Sequence, residues 1–174
     1  MSQFCSLSPQ VLRKYKGNSE VFFETGTFEG ESVQVALEVG FKTIYSVELS
    51  ADKCMDARKK FAGYSNVHII LGDSPQIIRE MLPWMPEPII FWLDAHSVGG
   101  PPTPTPLMAE IKTIQEYRIA PVTILIDDMR MVGGYWKDLS IEGITQAVMQ
   151  VDPTFKIARE PNSQAANDVL VAYK

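Results

Sequence analysis

Hydrophobic positions along this chain fall into two alternating rhythms. Short runs rich in Val, Ile, Phe, Tyr and Leu occupy Val21–Thr25, Thr43–Leu49, Val67–Leu71, Ile89–Asp94 and Val122–Asp127. Most are too continuously apolar to have one wet face, and strands buried on both faces belong to a parallel sheet. Helical patterns separate them. Glu31–Val39 ends at Gly40, suited to a left-handed cap, and Ala51–Ala62 lies between Ser50 as N-cap and Gly63. Ser74–Met81 starts from a hydroxyl side chain, with Pro75 fitted to its first turn, and Leu107–Tyr117 and Ile141–Val151 complete the set. Alternation of this kind implies right-handed crossovers and an α/β, doubly wound, mostly parallel sheet. The last two runs, Phe155–Arg159 and Asp168–Tyr173, are separated only by a polar stretch too short for a helical crossover. They read as an antiparallel hairpin that brings the sheet to seven strands. One domain over residues 1–174 is expected, with Ser97–Pro106 as the one long irregular segment.

The polar residues gain meaning from where the strands stop. In an open parallel sheet, ligands bind beyond the carboxyl ends of the strands, near the point where strand order reverses. Each of the first five runs ends in an acid or an acid–glycine group: Glu24 with Gly26, Glu48, Gly72-Asp73-Ser74, Asp94 with His96, and Asp127-Asp128. Turns favour Asp for local reasons, but five such ends together point to one shared site. Gly26 and Gly30 would let a ligand approach the first turn, or would simply allow tight packing there. Glu48 is placed to accept both hydroxyls of a ribose. Asp73 or Ser74 would lie beside a base edge, unless Ser74 only caps its helix. Asp94, Asp127 and Asp128 repel one another unless a cation joins them, and hard ions such as Mg²⁺ or Ca²⁺ suit such oxygen ligands. The bland alternative gives Asp128 to a turn or to Arg130.

Charge narrows the partners. A net charge of −5 and a pI near 5.1 argue against a nucleic-acid duplex, which wants a basic face. The two cysteines, Cys5 and Cys54, have neither disulfide-scaffold nor zinc spacing, and packing or surface roles are expected for both. Without a long apolar run or a charged-then-apolar leader pattern, no membrane association is expected, and the cytoplasm is the expected location.

At this point the residues resemble class I S-adenosylmethionine-dependent methyltransferases, above all the small cation-dependent O-methyltransferases of the catechol and caffeoyl-CoA type. The family's first motif, E-x-G-x-(aromatic)-x-G-x-S, matches Glu24-Thr25-Gly26-Thr27-Phe28-Glu29-Gly30-Glu31-Ser32 at every fixed position. A group of viral and microbial methyltransferase-like proteins with a DAH…GG…TP string is also similar. The resemblance covers Val21 to about Gly134 and implies a Rossmann-like fold with S-adenosylmethionine as cofactor. It implies cofactor contacts from Glu24, Gly26, Thr27, Phe28, Gly30, Ser32, Glu48, Gly72, Asp73, Ser74 and Asp94. Within that set, Ser32 would bond the methionine carboxylate and Glu48 the ribose. It also implies Asp94, Asp127 and Asp128 as metal ligands, with Asp128 standing where the family usually has Asn. Ser97 replaces the family's lysine, so His96 becomes the candidate base, with Asp94 the other catalytic candidate. Most of the family's N-terminal helical extension is missing, which leaves room for a homodimer.

Three functions follow. The first is methyl transfer to a hydroxyl of a small molecule or sugar. The second is a non-catalytic module that binds the cofactor or a partner protein. The third, a nicotinamide-dependent oxidoreductase, is weakened by the missing GxGxxG and by acids where a pyrophosphate would lie.

Overall fold

A computed structural model of the chain describes residues 6–86, 88–96, 104–117 and 122–174. Most of the irregular segment noted above, Cys5 and Ser97 lie outside the described residues. Seven strands form one sheet: β1 Val21–Thr25, β2 Thr43–Glu48, β3 Val67–Leu71, β4 Ile89–Leu93, β5 Val122–Ile126, β6 Lys156–Glu160 and β7 Val169–Tyr173. Their order across the sheet is β3-β2-β1-β4-β5-β7-β6. Pairing is parallel from β3 through β5 and antiparallel for β7 against both β5 and β6. The doubly wound sheet and its terminal hairpin are therefore both present.

Strand order reverses between β1 and β4, which lie side by side and parallel, in register from Val21↔Ile89 to Thr25↔Leu93. Helices α2 (Glu31–Val39) and α3 (Ala51–Lys60) leave one side of this switch. Helices α4 (Ser74–Met81), α5 (Leu107–Tyr117) and α6 (Ile141–Val151) cover the opposite face. Because side chains alternate along a strand, each face collects its own core. Phe23, Phe91 and Ile124 meet Ile78, Ile111, Ile144 and Val148 on the α4–α6 face. Phe22, Trp92 and Leu125 meet Val33, Ala36, Cys54 and Ala57 on the other, which settles Cys54 as a packing residue. No helix among the described residues is long and apolar enough to cross a membrane.

Several boundaries differ from the sequence reading. A further helix, α1 (Pro9–Lys16), precedes β1, and its Val11, Leu12 and Tyr15 complete the second core. Its start signal is plain in retrospect. Ser8 caps it through the backbone N–H of Gln10, Pro9 opens it, and basic residues fill its last turn. Helix α3 stops at Lys60 with Phe61 as its C-cap, not at Gly63, because Phe61 turns inward to pack against Gly30. Strand β2 stops at Glu48, leaving Leu49 exposed beyond it. Strand β6 begins one residue after Phe155, and β7 one residue after Asp168. Both of those residues are buried all the same. As expected, Gly40 closes α2 in the left-handed conformation, and Ser50 caps α3.

Candidate functional site

The carboxyl ends of β1, β2, β4 and β5 open into one cleft of about 820 Å³, within the range of small-molecule sites. Of the residues expected to contact a cofactor, Gly26, Phe28, Glu48, Gly72, Asp73, Ser74 and Asp94 line it. Glu24, Thr27, Gly30 and Ser32 do not reach its wall. The side chains of Glu24, Thr27 and Ser32 are buried behind the first turn and shape it from within.

That turn is set by two left-handed glycines and a hydroxyl chain. Gly26 has φ of +86°, and a Cβ there would sit 2.7 Å from the backbone oxygen of Asp94. The ends of β1 and β4 therefore approach as closely as they do only because position 26 has no side chain. Gly30, at φ +72°, leaves the same kind of room for the Phe61 ring. Behind them, the Ser46 hydroxyl donates to Glu24 Oε1 at 2.5 Å and sits 2.5 Å from Thr27 Oγ1. Burial pushes the Glu24 carboxyl up to about 7. The hydroxyls of Ser32 and Ser46 pull it back, and the Glu48 charge adds to the rise. Glu24 is thus a structural acid beneath the turn.

Glu48 sits at the lip. Its Oε2 accepts from the Phe28 backbone N–H at 2.8 Å and its Oε1 from that of Ser50 at 2.9 Å. A carboxylate has about four acceptor positions, so about two remain to meet a diol. The same bond holds Phe28 at a positive φ, with its ring under the Lys53 ammonium at 4.1 Å. Across the cleft, Asp73 is the N-cap residue of α4, yet its carboxylate makes no capping bond and is exposed. Ser74 corrects the expected cap. Its hydroxyl turns under the cleft floor to donate to Glu110 Oε1.

Glu110, on α5, was not singled out in the sequence, since one acid in an amphipathic helix reads as surface. It is buried, its carboxyl is pushed up to about 7 by burial, and the hydroxyls of Ser74 and Thr25 oppose that rise. Its Oε2 has no hydrogen-bond partner and lines a small cavity together with Trp136, whose Nε1 also lacks one. Raised acids such as Glu24 and Glu110 bind protons more tightly folded than unfolded. Their contribution is fully present below pH 4.5 and is lost as pH rises towards about 7. Denaturant titrations are therefore expected to show falling stability across that window, with a shallower fall in Glu110→Gln. An unchanged pH slope in that variant would contradict a buried neutral carboxyl. Glu110→Ala, which strands the Ser74 hydroxyl, is expected to lose about 1–3 kcal/mol.

At the other end of the cleft, Asp94, Asp127 and Asp128 all line the wall, and Asp128 meets Arg130, the alternative partner that the sequence offered for it. His96 Nε2 lies 2.7 Å from Asp128 Oδ2 and 3.7 Å from Asp94 Oδ1. Arg130 Nη1 lies 2.6 Å from Asp128 Oδ1 and also donates to Asp168 Oδ2. Asp168 Oδ1 accepts from the Arg130 backbone N–H at 2.6 Å. Asn162 Nδ2 spans Asp127 Oδ1 and Asp168 Oδ2, at 2.8 and 2.6 Å. Burial first, then the charges of Asp127, Asp128 and Glu24, hold Asp94 well above the usual carboxylate range. Burial and Asp128 push Asp127 up to about 6, against the hydroxyl of Ser6 and the amide of Asn162.

The expected metal set does not assemble as one group. Among the described residues, clusters close enough to share an ion are Asp94, His96 and Asp128, and separately Asp127, Asp128 and Asp168. In the first, an imidazole nitrogen that hydrogen-bonds a carboxylate carries a proton and has no lone pair for a metal. In the second, one guanidinium nitrogen already bridges Asp128 and Asp168. Of the carboxylate oxygens in these two clusters, Asp127 Oδ2 is the one buried without a hydrogen-bond partner. The donor set as arranged does not fit a divalent cation.

The tryptophans also sort themselves. Trp92 is core, Trp84 is exposed, and Trp136 is buried behind His96 with its ring edge-on at 6.2 Å. His68 stacks on Tyr45 in the strands near the sheet edge. Like Glu110, Asn162 and Asp168 have no role in the sequence analysis, where Arg130 enters only as the alternative partner of Asp128. The only signals were Arg130 two residues after the Asp pair and a polar hairpin connection rich in Asn and Gln.

No protein-family model matches the chain, and no curated protein matches it by sequence. Solved structures do. A methyltransferase of Podospora anserina, bound to S-adenosylhomocysteine (SAH), superposes with a TM-score of 0.64 at 17% identity, over 95% of this chain and 75% of that one. An O-methyltransferase of Bacillus cereus in complex with SAH gives 0.64 at 13% identity, over 95% and 78%. The O-methyltransferase TomG of Streptomyces achromogenes, in complex with S-adenosylmethionine and involved in tomaymycin synthesis, gives 0.63 at 15%, over 95% and 76%. At these identities the likeness establishes architecture. The chain has the Rossmann-like fold of S-adenosylmethionine-dependent methyltransferases.

Proposed function

We propose that this protein is an S-adenosylmethionine-dependent methyltransferase acting on a hydroxyl of a small molecule or sugar. The observation that carries this reading is the cleft at the β1–β4 switch point, glycine-floored and acid-lined. A phosphate-bearing dinucleotide would meet repulsion there. A ligand with a sulfonium, an amine and a ribose diol meets complementary charge.

When bound, the cofactor supplies an electrophilic methyl group on sulfur. The chain's own residues would do the rest. Position 26 leaves the strand end open to the ligand, Glu48 offers its remaining lone pairs to the ribose hydroxyls, and Asp73 offers an acceptor to the base edge. In-line displacement depends heavily on orientation, so this anchoring carries much of the catalysis. The acceptor hydroxyl must lose a proton. The Asp128 carboxylate orients the His96 imidazole, an arrangement of base and orienting acid that recurs in active sites.

Methyl transfer from a labelled donor, assayed over a panel of phenols, sugars and other alcohols, tests the proposal. His96→Gln is expected to lower turnover by about 100-fold or more, the usual reach of a general base, while leaving donor affinity within a few-fold. Unchanged turnover in that variant would remove His96 as the base. Donor binding with no transfer to any acceptor would favour the non-catalytic module.

A further inference from the structure

We propose that Arg130 is the built-in counter-ion of the acidic cluster and that the site works without a divalent cation. The contacts that oppose a metal fit also say what replaces it. Arg130 is held at both ends: its backbone N–H is on Asp168 Oδ1, and its guanidinium is on Asp128 Oδ1 and Asp168 Oδ2. It also contacts the Gln164 side-chain oxygen at 2.5 Å. A tethered cation clamped in this way needs no recruitment from solution, and its planar fork suits two carboxylates at once.

The second oxygen of Asp128 belongs to His96. Asn162 is itself fixed, its Oδ1 accepting the backbone N–H groups of Gln164 and Ala165 at 2.8 Å each, and it satisfies Asp127 Oδ1. A divalent ion at ordinary oxygen distances of about 2.0–2.6 Å would have to share Asp128 with the imidazole and the guanidinium already on its two oxygens, beside a second positive charge. Displacing Arg130, whose side chain is 31% exposed, would release the guanidinium to water but leave the buried Asp168 carboxylate without its cation. The terminal hairpin is part of this device, because Asn162, Gln164 and Asp168 all lie between or beside β6 and β7. The positive charge at this end of the cleft then comes from the turn after β5.

The methyltransferase reading enters only through the catalytic consequence. Ion binding tests the counter-ion role without any methyl donor, so failure of one is distinguishable from failure of the other. Mn²⁺ titration of the full chain, followed by electron paramagnetic resonance and by thermal melting, is the test. The wild type is expected to show no site tighter than about 1 mM, the weak end of oxygen-ligand sites, and no change in melting temperature with Mn²⁺ or EDTA. Arg130→Gln is expected to melt lower, to bind Mn²⁺ at least tenfold more tightly, and to recover part of its melting temperature with the ion. Arg130→Lys, which keeps a cation, is expected to stay insensitive. A wild-type Mn²⁺ site tighter than about 0.1 mM that disappears in Asp128→Asn would overturn the proposal. So would a folded Arg130→Gln that gains no affinity. If Arg130→Gln fails to fold even with Mn²⁺, the wild-type titration and Arg130→Lys still decide.

Discussion

Gly26→Val is expected to abolish binding of S-adenosylmethionine and SAH and to destabilise the fold as well. Two independent penalties act at this position. A β-branched residue at φ +86° is strained, which costs roughly 1–2 kcal/mol. Its Cβ would also stand 2.7 Å from Asp94 O and 3.1 Å from Ala95 Cα, both backbone atoms that cannot swing aside. The ends of β1 and β4 must separate, which moves Asp94 and reshapes the floor on which the ligand would lie. The expected result is at least a 100-fold loss of cofactor affinity by calorimetry and a lower urea midpoint. Affinity within threefold of wild type would show that the approach of the two strand ends does not shape the cofactor site.

Asp168→Ala is expected to be the most destabilising single change at the polar end of the cleft. The Asp168 carboxylate is 1% exposed and receives the Arg130 backbone N–H, the Arg130 guanidinium and the Asn162 amide. Removing it leaves Arg130 half-paired and frees the hairpin from the turn after β5. The Arg130 side chain is 31% exposed and its ion pair adds little, but the stranded Arg130 backbone N–H and Asn162 amide cost about 1–3 kcal/mol, and urea unfolding is expected to show a loss in that range. Asp168→Asn keeps the shape and one acceptor, so its loss is expected to be smaller. A loss below about 1 kcal/mol in Asp168→Ala would mean that Arg130 is adequately held by Asp128 alone.

Much of the fold was legible because its signals are local. Continuous apolar runs such as Phe22–Phe23 and Ile124–Leu125 declare strands buried on both faces, and Gly40 and Ser50 mark helix ends by their own chemistry. The acids at strand ends were legible too, because strand-end position is a property of order along the chain. Helix α1 was missed although its cap and basic last turn were present, since eight residues make a weak periodic pattern. Side-chain direction was not legible at all. Ser74 donates downward to Glu110 rather than capping α4, and only the packing of α5 against α4 decides that. The Asp128–Arg130 pair was legible as the alternative to a metal, but the distant partners of the cluster, Asp168 and Asn162, were hidden for the same reason. Arg130 and Asp168 are 38 residues apart and meet only because β7 lies antiparallel beside β5. Three acids in sequence suggest a metal, while the tertiary structure also brings the Arg130 guanidinium onto Asp128 and Asp168.

Calorimetric titration of the wild-type chain with S-adenosylmethionine, SAH and NAD tests the central claim most directly. Stoichiometric binding of both methyl-cycle ligands is expected, weakened at least tenfold in Glu48→Ala, with no heat from NAD. Binding of NAD, or of neither S-adenosylmethionine nor SAH, would contradict it.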